Sequence, residues 1–426
     1  MRDGEWDHED DDHDEMSMIG QSKAGKVEEE DENFATTTGC SADIARNFDD
    51  MGLSDDLLRG VYCMGFERPS PIQQRAVKSM IKGGDMLAQA HSGTGKTGAF
   101  ALGLLGRVNP SLQNCQAIVL SPTRDLALQS GTVIKKLSEF MGIDVKICRG
   151  GTDVILDLKD LQRGVHVVCG TPGRIISHIQ KGDIEMKHLQ MIVLDEADEL
   201  LEAGFEEQIK SIITHCSIPE STDIACFSAT MPTAVEVLTK KFLRSPSKIL
   251  LKKSKQALKG IRQFYVPLPE ESMKIAVLDD LYSTMSISTS IVFANSKAKV
   301  VMLARAMEAK GHSVSVIHGE MEQSERDYTL EEFRSGRSRV LIATDVLKRG
   351  IDVQAVSLVI NYDLPGRMED YMHRIGRAGR YGRHGVAINL ITKHDVDDMK
   401  TLEKEYSLSI EELPEDYSHI CKGGSA

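Results

Sequence analysis

From residue 115 onward the chain repeats one unit: a short aliphatic run, a few small polar or charged residues, then a stretch in which apolar positions recur every three or four residues. Aliphatic runs of four or five residues bounded by turn residues mark strands buried on both faces, and the stretches between them read as helices. Runs at Ala117–Leu120, Val165–Val168, Met191–Leu194 and Ile224–Phe227 predict one parallel sheet. A second series at Ile291–Ala294, Val314–Ile317, Val340–Ala343, Val356–Ile360 and Val386–Leu390 predicts another. Between the two series, Lys252 to Gly260 is polar and without strong periodicity, the composition of an interdomain linker.

The polar residues that end the runs carry the candidate chemistry. Open parallel sheets bind ligands at the carboxyl ends of their strands, and the first series ends in Ser121-Pro122-Thr123-Arg124, Gly170-Thr171-Pro172-Gly173-Arg174, Asp195-Glu196-Ala197-Asp198 and Ser228-Ala229-Thr230. Three separated segments then describe one ATP site. Ala90-His91-Ser92-Gly93-Thr94-Gly95-Lys96-Thr97 can wrap phosphates with backbone N–H groups and a lysine, with Thr97 holding Mg2+. Asp195 to Asp198 supplies one carboxylate, Asp195, for the ion and another, Glu196, to accept a proton from water. His373-Arg374-Ile375-Gly376-Arg377-Ala378-Gly379-Arg380 brings arginines, of which Arg377 and Arg380 can point at one phosphate. Lysine and carboxylates lie in the first series and the arginines in the second, so hydrolysis is expected to require the two domains to close.

Charge changes the picture through its distribution. The chain of 426 residues carries a net −13, but its first 32 residues hold 14 acidic and 3 basic side chains, which leaves −2 on the remainder. A basic groove for a polyanion is therefore compatible with an acidic total. That opening is poor in apolar residues, and an acidic disordered tail is expected over 1–46. Domains are expected over 47–250 and 261–421, joined by a linker at 251–260 and followed by a short tail at 422–426. No secretory signal and no run long enough for a membrane span is present, so an intracellular, membrane-free protein is expected. Eight cysteines are scattered without any Cys-x-x-Cys pair, which predicts reduced, buried thiols holding neither zinc nor disulfides.

These segments, with Gly65-Phe66-Glu67-Arg68-Pro69-Ser70-Pro71-Ile72-Gln73 upstream and Gly150-Gly151, Gln323 to Arg326 and Arg349-Gly350-Ile351-Asp352 downstream, resemble the DEAD-box ATP-dependent RNA helicases over about 47–421. The resemblance implies an α/β fold of two tandem RecA-like parallel-sheet domains joined by a short linker. It also implies ATP and Mg2+ as cofactors, and single-stranded RNA and short duplexes as partners. Gly350-Ile351-Asp352-Val353-Gln354 and Val359 to Pro365 are similar to the initiation-factor helicase of the eukaryotic cap complex. That likeness implies mRNA unwinding in the cytoplasm, a cap-complex scaffold as partner, and a chain monomeric on its own. The related clamp of the exon junction complex, with nuclear location, stands as the alternative. A phosphate-loop enzyme acting on a small molecule is disfavoured by the tandem domain and paired arginines.

Residue by residue, the resemblance places Phe48 as the adenine-stacking aromatic, with Arg68, Gln73, the loop Ala90 to Thr97, Gly350 and Asp352 also at the nucleotide. The amide of Gln73 can pair with both N6 and N7 of adenine and so exclude guanine. Pro122, Thr123, Arg124, Gly150, Gly151, Thr171, Pro172, Gly173 and Arg174 fall at RNA positions of the first domain, and Ser296, Gln323, Arg326 and Thr344 at those of the second. Asp198, Ser228, Thr230, Asp345, His373 and Arg374 fall at positions that couple the two sites. With 5% aromatic residues, recognition is expected along the sugar–phosphate backbone, with little sequence preference. Three positions depart from the family pattern: Asp125, where Glu is usual, Ser296, where Thr is usual, and Lys348, where a small residue is common.

Overall fold

A computed structural model describes residues 34–37, 44–91, 93–150, 154–216, 218–251, 261–285, 287–347, 356–378, 385–406 and 408–421. Residues 252–260 of the expected linker, the acidic run and the last five residues lie outside these, as do Ser92, Gly151, Lys348 to Asp352 and Arg380 among the singled-out positions, whereas Leu251, expected in the linker, belongs to a strand.

Strands β1 (Phe34–Thr37), β2 (Met86–Gln89), β3 (Ala117–Leu120), β4 (Val145–Cys148), β5 (Val167–Gly170), β6 (Met191–Leu194), β7 (Asp223–Ser228) and β8 (Ser247–Leu251) build one sheet, in the order β1-β8-β2-β7-β6-β3-β5-β4. Strands β9 (Ile261–Leu268), β10 (Ser290–Phe293), β11 (Val314–Ile317), β12 (Val340–Ala343), β13 (Leu358–Asn361), β14 (Gly385–Thr392) and β15 (Glu411–Glu412) build the second, in the order β11-β12-β10-β13-β14-β9-β15. All pairings are parallel except that of β1 with β8.

Alternation within each central strand builds two cores per sheet. Val119, Val193 and Phe227 face one layer of helices, while Ile118, Leu120, Leu194 and Cys226 face the other. In the second sheet Val292, Ile342 and Ile360 face one side, and Ile291, Leu341 and Val359 the other. This burial on both faces is why the sequence shows continuous aliphatic runs instead of alternation. Each fully buried Val, Leu or Ile contributes about 1.5–3 kcal/mol.

Several expected bounds shift, among them Val356–Ile360, which becomes Leu358–Asn361, and two shifts show their cause. The run beginning at Val165 becomes a strand only at Val167, because Val165 and His166 serve as the entry: the His166 carbonyl accepts from Gln116 and Ala117. The acidic tail expected to be disordered over 1–46 is corrected at Phe34–Thr37, which pairs antiparallel to β8 with Phe34 opposite Leu251 and Thr37 opposite Lys248. Phe34-Ala35-Thr36-Thr37 begins two positions after Glu32, and phenylalanine and threonine are residue types of high strand propensity. Ala45, also within that range, is buried against the first domain.

The carboxyl ends of the two sheets face each other. Across the gap Arg367 approaches Glu202 at 3.1 Å, Arg149 approaches Asp327 at 3.9 Å and His373 Nε2 approaches Asp198 Oδ2 at 3.7 Å.

Candidate nucleotide and RNA site

The phosphate loop follows β2, whose end is tied to β7 by the Ala90 N–H donating to the Ser228 carbonyl at 3.1 Å. Gly93 and Gly95 adopt left-handed backbone (φ 79° and 97°), and Gly95 opens the helix Lys96–Leu105. A side chain at Gly95 has no room: a Cβ there meets Ser70 Oγ at 2.7 Å and Gln73 Nε2 at 2.9 Å. The loop is therefore a glycine-dependent turn leading into a helix N-terminus, the geometry that concentrates N–H groups on an anion.

Lys96 Nζ donates to Glu196 Oε2 at 2.9 Å in a buried pair. Glu196 holds a left-handed backbone (φ 48°, ψ 61°) at the start of the helix Ala197–Glu202. For a non-glycine residue this conformation costs on the order of 1–3 kcal/mol, and such strain concentrates at functional sites. Asp195, at the end of β6, accepts from Ser130 Oγ at 3.2 Å. Burial, reinforced by the neighbouring Glu196 carboxylate, pushes the Asp195 carboxyl up to about 7. Two buried carboxylates beside one lysine and a hydroxyl at Thr97 form a donor set suited to a hard divalent cation.

Gln73 lies behind the loop. Its Oε1 accepts from the Ser70 N–H at 2.8 Å, and its Nε2 donates to the Gly95 carbonyl at 3.2 Å. In this conformation the amide expected to read adenine instead braces the phosphate loop against the start of the helix Pro71–Lys82. Phe48 is 2% exposed, its ring stacked on Phe66 with centroids 6.2 Å apart. The aromatic surface this pair leaves open is that of the half-buried Phe66, a residue sequence reading quoted but gave no role. Arg68 is exposed.

Asp198 is a junction. Its Oδ2 accepts from Thr230 Oγ1 at 2.6 Å and Thr230 N at 3.2 Å, its N–H donates to Ser228 Oγ, and His373 of the second domain lies 3.7 Å away. Arg374, expected beside His373 as a link between sites, is instead fully buried within the second domain. Its guanidinium donates to Asp345 at 2.7 and 2.9 Å, to Asn295 Oδ1 at 2.8 Å and to the Asp363 carbonyl at 2.7 Å. It clamps the ends of β10, β12 and β13. Arg377 is 3% exposed in the turn that follows.

A second opening, a cleft of about 660 Å3, is lined by Pro122, Thr123, Arg124, Gly150, Thr171, Gly173 and Arg174 of the first domain and by Arg326 of the second. Thr123 caps the helix Arg124–Leu137, and Thr171 precedes the helix Pro172–Gln180, so two helix N-termini open on the cleft. Nothing stands within 4 Å of a Cβ built on Gly173, which leaves room for a close backbone approach. At Gly150 such a Cβ would lie 3.0 Å from the Arg124 guanidinium. Arg174 is oriented by donating to the Arg149 carbonyl at 3.3 and 3.1 Å. Ser296 and Thr344 stand outside this lining: Ser296 caps the helix Lys297–Glu308, and Thr344 follows β12. Gln323 begins the helix Gln323–Arg334 next to the lining residue Glu322. Asp125, Phe205, Met321, Glu322 and Val346 also line the cleft without having been given a binding role. Asp125 directly follows Pro122-Thr123-Arg124 and Met321-Glu322 directly precede Gln323, so these three adjoin quoted motifs, whereas Phe205 and Val346 stand in other segments.

The family profile described as DEAD/DEAH box helicase matches residues 70–238, and that of the helicase conserved C-terminal domain matches 273–382. The chain is 51% identical over 368 residues to the protein named ATP-dependent RNA helicase eIF4A of Chaetomium globosum, covering 86% of this chain and 92% of that one. It is likewise 51% identical over 372 residues to the protein of that name from Neosartorya fischeri, covering 87% and 93%. Among solved structures it resembles S. cerevisiae Dbp5 bound to RNA and ADP BeF3, with TM-score 0.80 and 36% identity over 89% of this chain and 98% of that one. A DEAD box protein from Methanococcus jannaschii gives TM-score 0.55 and 35% identity over 87% and 99%.

Proposed function

Because the chain belongs to the DEAD-box family of ATP-dependent RNA helicases, we propose that it closes its two domains on ATP and single-stranded RNA, separates short duplexes, and reopens on hydrolysis. The observation that carries this reading is the junction at Asp198. One carboxylate engages Thr230 beside the nucleotide loop and lies 3.7 Å from His373 of the opposite domain, so domain approach and the hydrolytic site share a contact.

In this reading Lys96 and the amides of Ala90 to Thr97 hold the phosphates, and Gln73 and Phe66 address the base, while Phe48, expected to stack on adenine, is buried and backs the Phe66 ring. Thr97 and Asp195 would hold Mg2+, which would neutralise phosphate charge. Glu196 accepts the proton of the attacking water, for which it must leave Lys96. Arg377 and Arg380 meet the developing charge from the second domain. Arg124, Arg174 and Arg326 hold RNA phosphates, while Gly173 and the helix N-termini supply N–H donors. A backbone-directed cleft of this kind supports action on RNA without strong sequence preference.

The name eIF4A borne by the relatives supports a place in translation initiation; action on mRNA secondary structure in the cytoplasm, a scaffold of the cap-binding complex as partner and a chain monomeric on its own complete the proposal. The test is ATP hydrolysis with and without single-stranded RNA, together with strand separation of a short duplex. Hydrolysis indifferent to RNA overturns the helicase reading. Purification from cell extract with exon-junction proteins and no cap-complex scaffold overturns the initiation role.

A further inference from the structure

Beneath the RNA cleft lies a buried cluster of three potential metal ligands from three elements: Cys148 at the end of β4, Asp157 on the helix Val154–Gln162, and His178 on the helix Pro172–Gln180. One ligand atom from each lies within 4.8 Å of both others. His178 Nδ1 stands 2.8 Å from Asp183 Oδ2, a hydrogen bond that places the ring proton on Nδ1. The Nε2 lone pair then points into the cluster. His178 is 1% exposed, and this nitrogen has no hydrogen-bond partner among the described residues. Asp157 Oδ2, at 3.8 Å, is too distant to accept from a second proton there.

A carboxylate that fixes a histidine tautomer while the other nitrogen faces a thiol and a second carboxylate is the usual outer support of a histidine metal ligand. In a tetrahedral zinc site, bond lengths of about 2.0–2.3 Å put N, O and S ligands roughly 3.3–3.6 Å from one another. The 3.8 Å between His178 Nε2 and Asp157 Oδ2 needs a contraction of about 0.5 Å, and no pair in the cluster needs more than about 1.5 Å. We propose that Cys148, Asp157 and His178 bind one divalent transition-metal ion of the zinc and cobalt class, with Asp183 as the positioning residue for His178. Cys148 enters as thiolate and its proton leaves to solvent, so the ion and its ligands balance without any redox step.

Two cations oppose the site and define its consequence. Lys146 lies 3.1 Å from Asp157 Oδ1, and Arg174 Nε lies 4.0 Å from Oδ2. A metal ion competes with both for the same carboxylate. Arg174 lines the cleft above, so loading the site alters an RNA-facing arginine. The metal proposal itself does not depend on the helicase reading.

The experiment is titration of the full chain, stripped of metal, with Co2+ in excess Mg2+, which keeps phosphate-type sites filled. One equivalent is expected to bind with a thiolate-to-cobalt charge-transfer band that Zn2+ abolishes. Cys148→Ser and His178→Gln should each lose the band, and Asp183→Asn should weaken binding about 10- to 100-fold. Absence of the band in the unmodified chain overturns the proposal whatever the variants do, and so does a band that survives Cys148→Ser. If no band forms while Asp157→Asn still weakens RNA binding, the cluster serves only to position Arg174, and the metal site is rejected.

Discussion

The Lys96 ammonium lies 2.9 Å from the Glu196 carboxylate, with both side chains almost closed to solvent. The group assigned to hold phosphate and the group assigned to accept a proton thus neutralise each other in this conformation. On the roles proposed above, nucleotide has to separate them before hydrolysis.

Removing one partner leaves the other buried and uncompensated, at a cost of roughly 3–5 kcal/mol, whereas removing both charges is far milder. Lys96→Ala should therefore melt lower than Lys96→Ala/Glu196→Gln in nucleotide-free thermal denaturation. Equal melting temperatures reject the pair as a stability element.

Glu196→Gln keeps shape and removes the base. Hydrolysis in saturating RNA should fall by about 10²–10⁴-fold, while binding of a fluorescent ATP analogue is retained or strengthened. Unimpaired turnover would return the base role to another residue.

The proposed fingers, Arg377 and Arg380, belong by sequence to the second domain. Arg380→Ala is expected to lower RNA-stimulated turnover by on the order of a thousandfold and leave ATP binding largely intact. A fragment spanning 47–250 should hydrolyse ATP negligibly even with RNA. Full activity from that fragment contradicts a composite site.

Gln73 makes both of its hydrogen bonds inside the protein, one to the Ser70 N–H and one to the Gly95 carbonyl. Gln73→Ala should thus loosen the phosphate loop as well as relax adenine preference, with loss of the capping contact costing about 1 kcal/mol. The prediction is weaker binding of ATP and a reduced ATP-over-GTP ratio. Unchanged selectivity would confine the residue to bracing.

Arg174 is oriented by the Arg149 carbonyl and faces the cleft. Arg174→Ala should weaken binding of unrelated RNA sequences to the same degree and reduce the salt dependence by about one phosphate contact. A sequence-selective loss would indicate base contact.

What was legible in the chain was whatever local chemistry dictates. Aliphatic runs at Ala117–Leu120 and Met191–Leu194 became β3 and β6 without change, because a strand buried on both faces leaves its period in the residues themselves. The glycines of the phosphate loop and the acidic quartet could be assigned because each works as one contiguous segment at a strand end. Short strands such as β1 and β15 carry little pattern and exist through their neighbours β8 and β9.

Other properties arise only when distant segments meet. The seating of Arg374 inside its own domain depends on Asn295, Asp345 and Asp363, which no spacing rule links. Absence of Cys-x-x-Cys predicted thiols holding neither zinc nor disulfides, and no spacing in the chain shows that Cys148, Asp157 and His178 converge from three elements. The sequence by itself determined the family, the two-sheet architecture and the residue types at the strand ends, since these follow from burial periodicity and from motifs read in one stretch. Tertiary structure alone decided which side chains neutralise each other, which rings are covered and which groups face across the gap, because hydrogen bonds and ion pairs depend on separations of a few ångströms between residues up to a hundred or more positions apart.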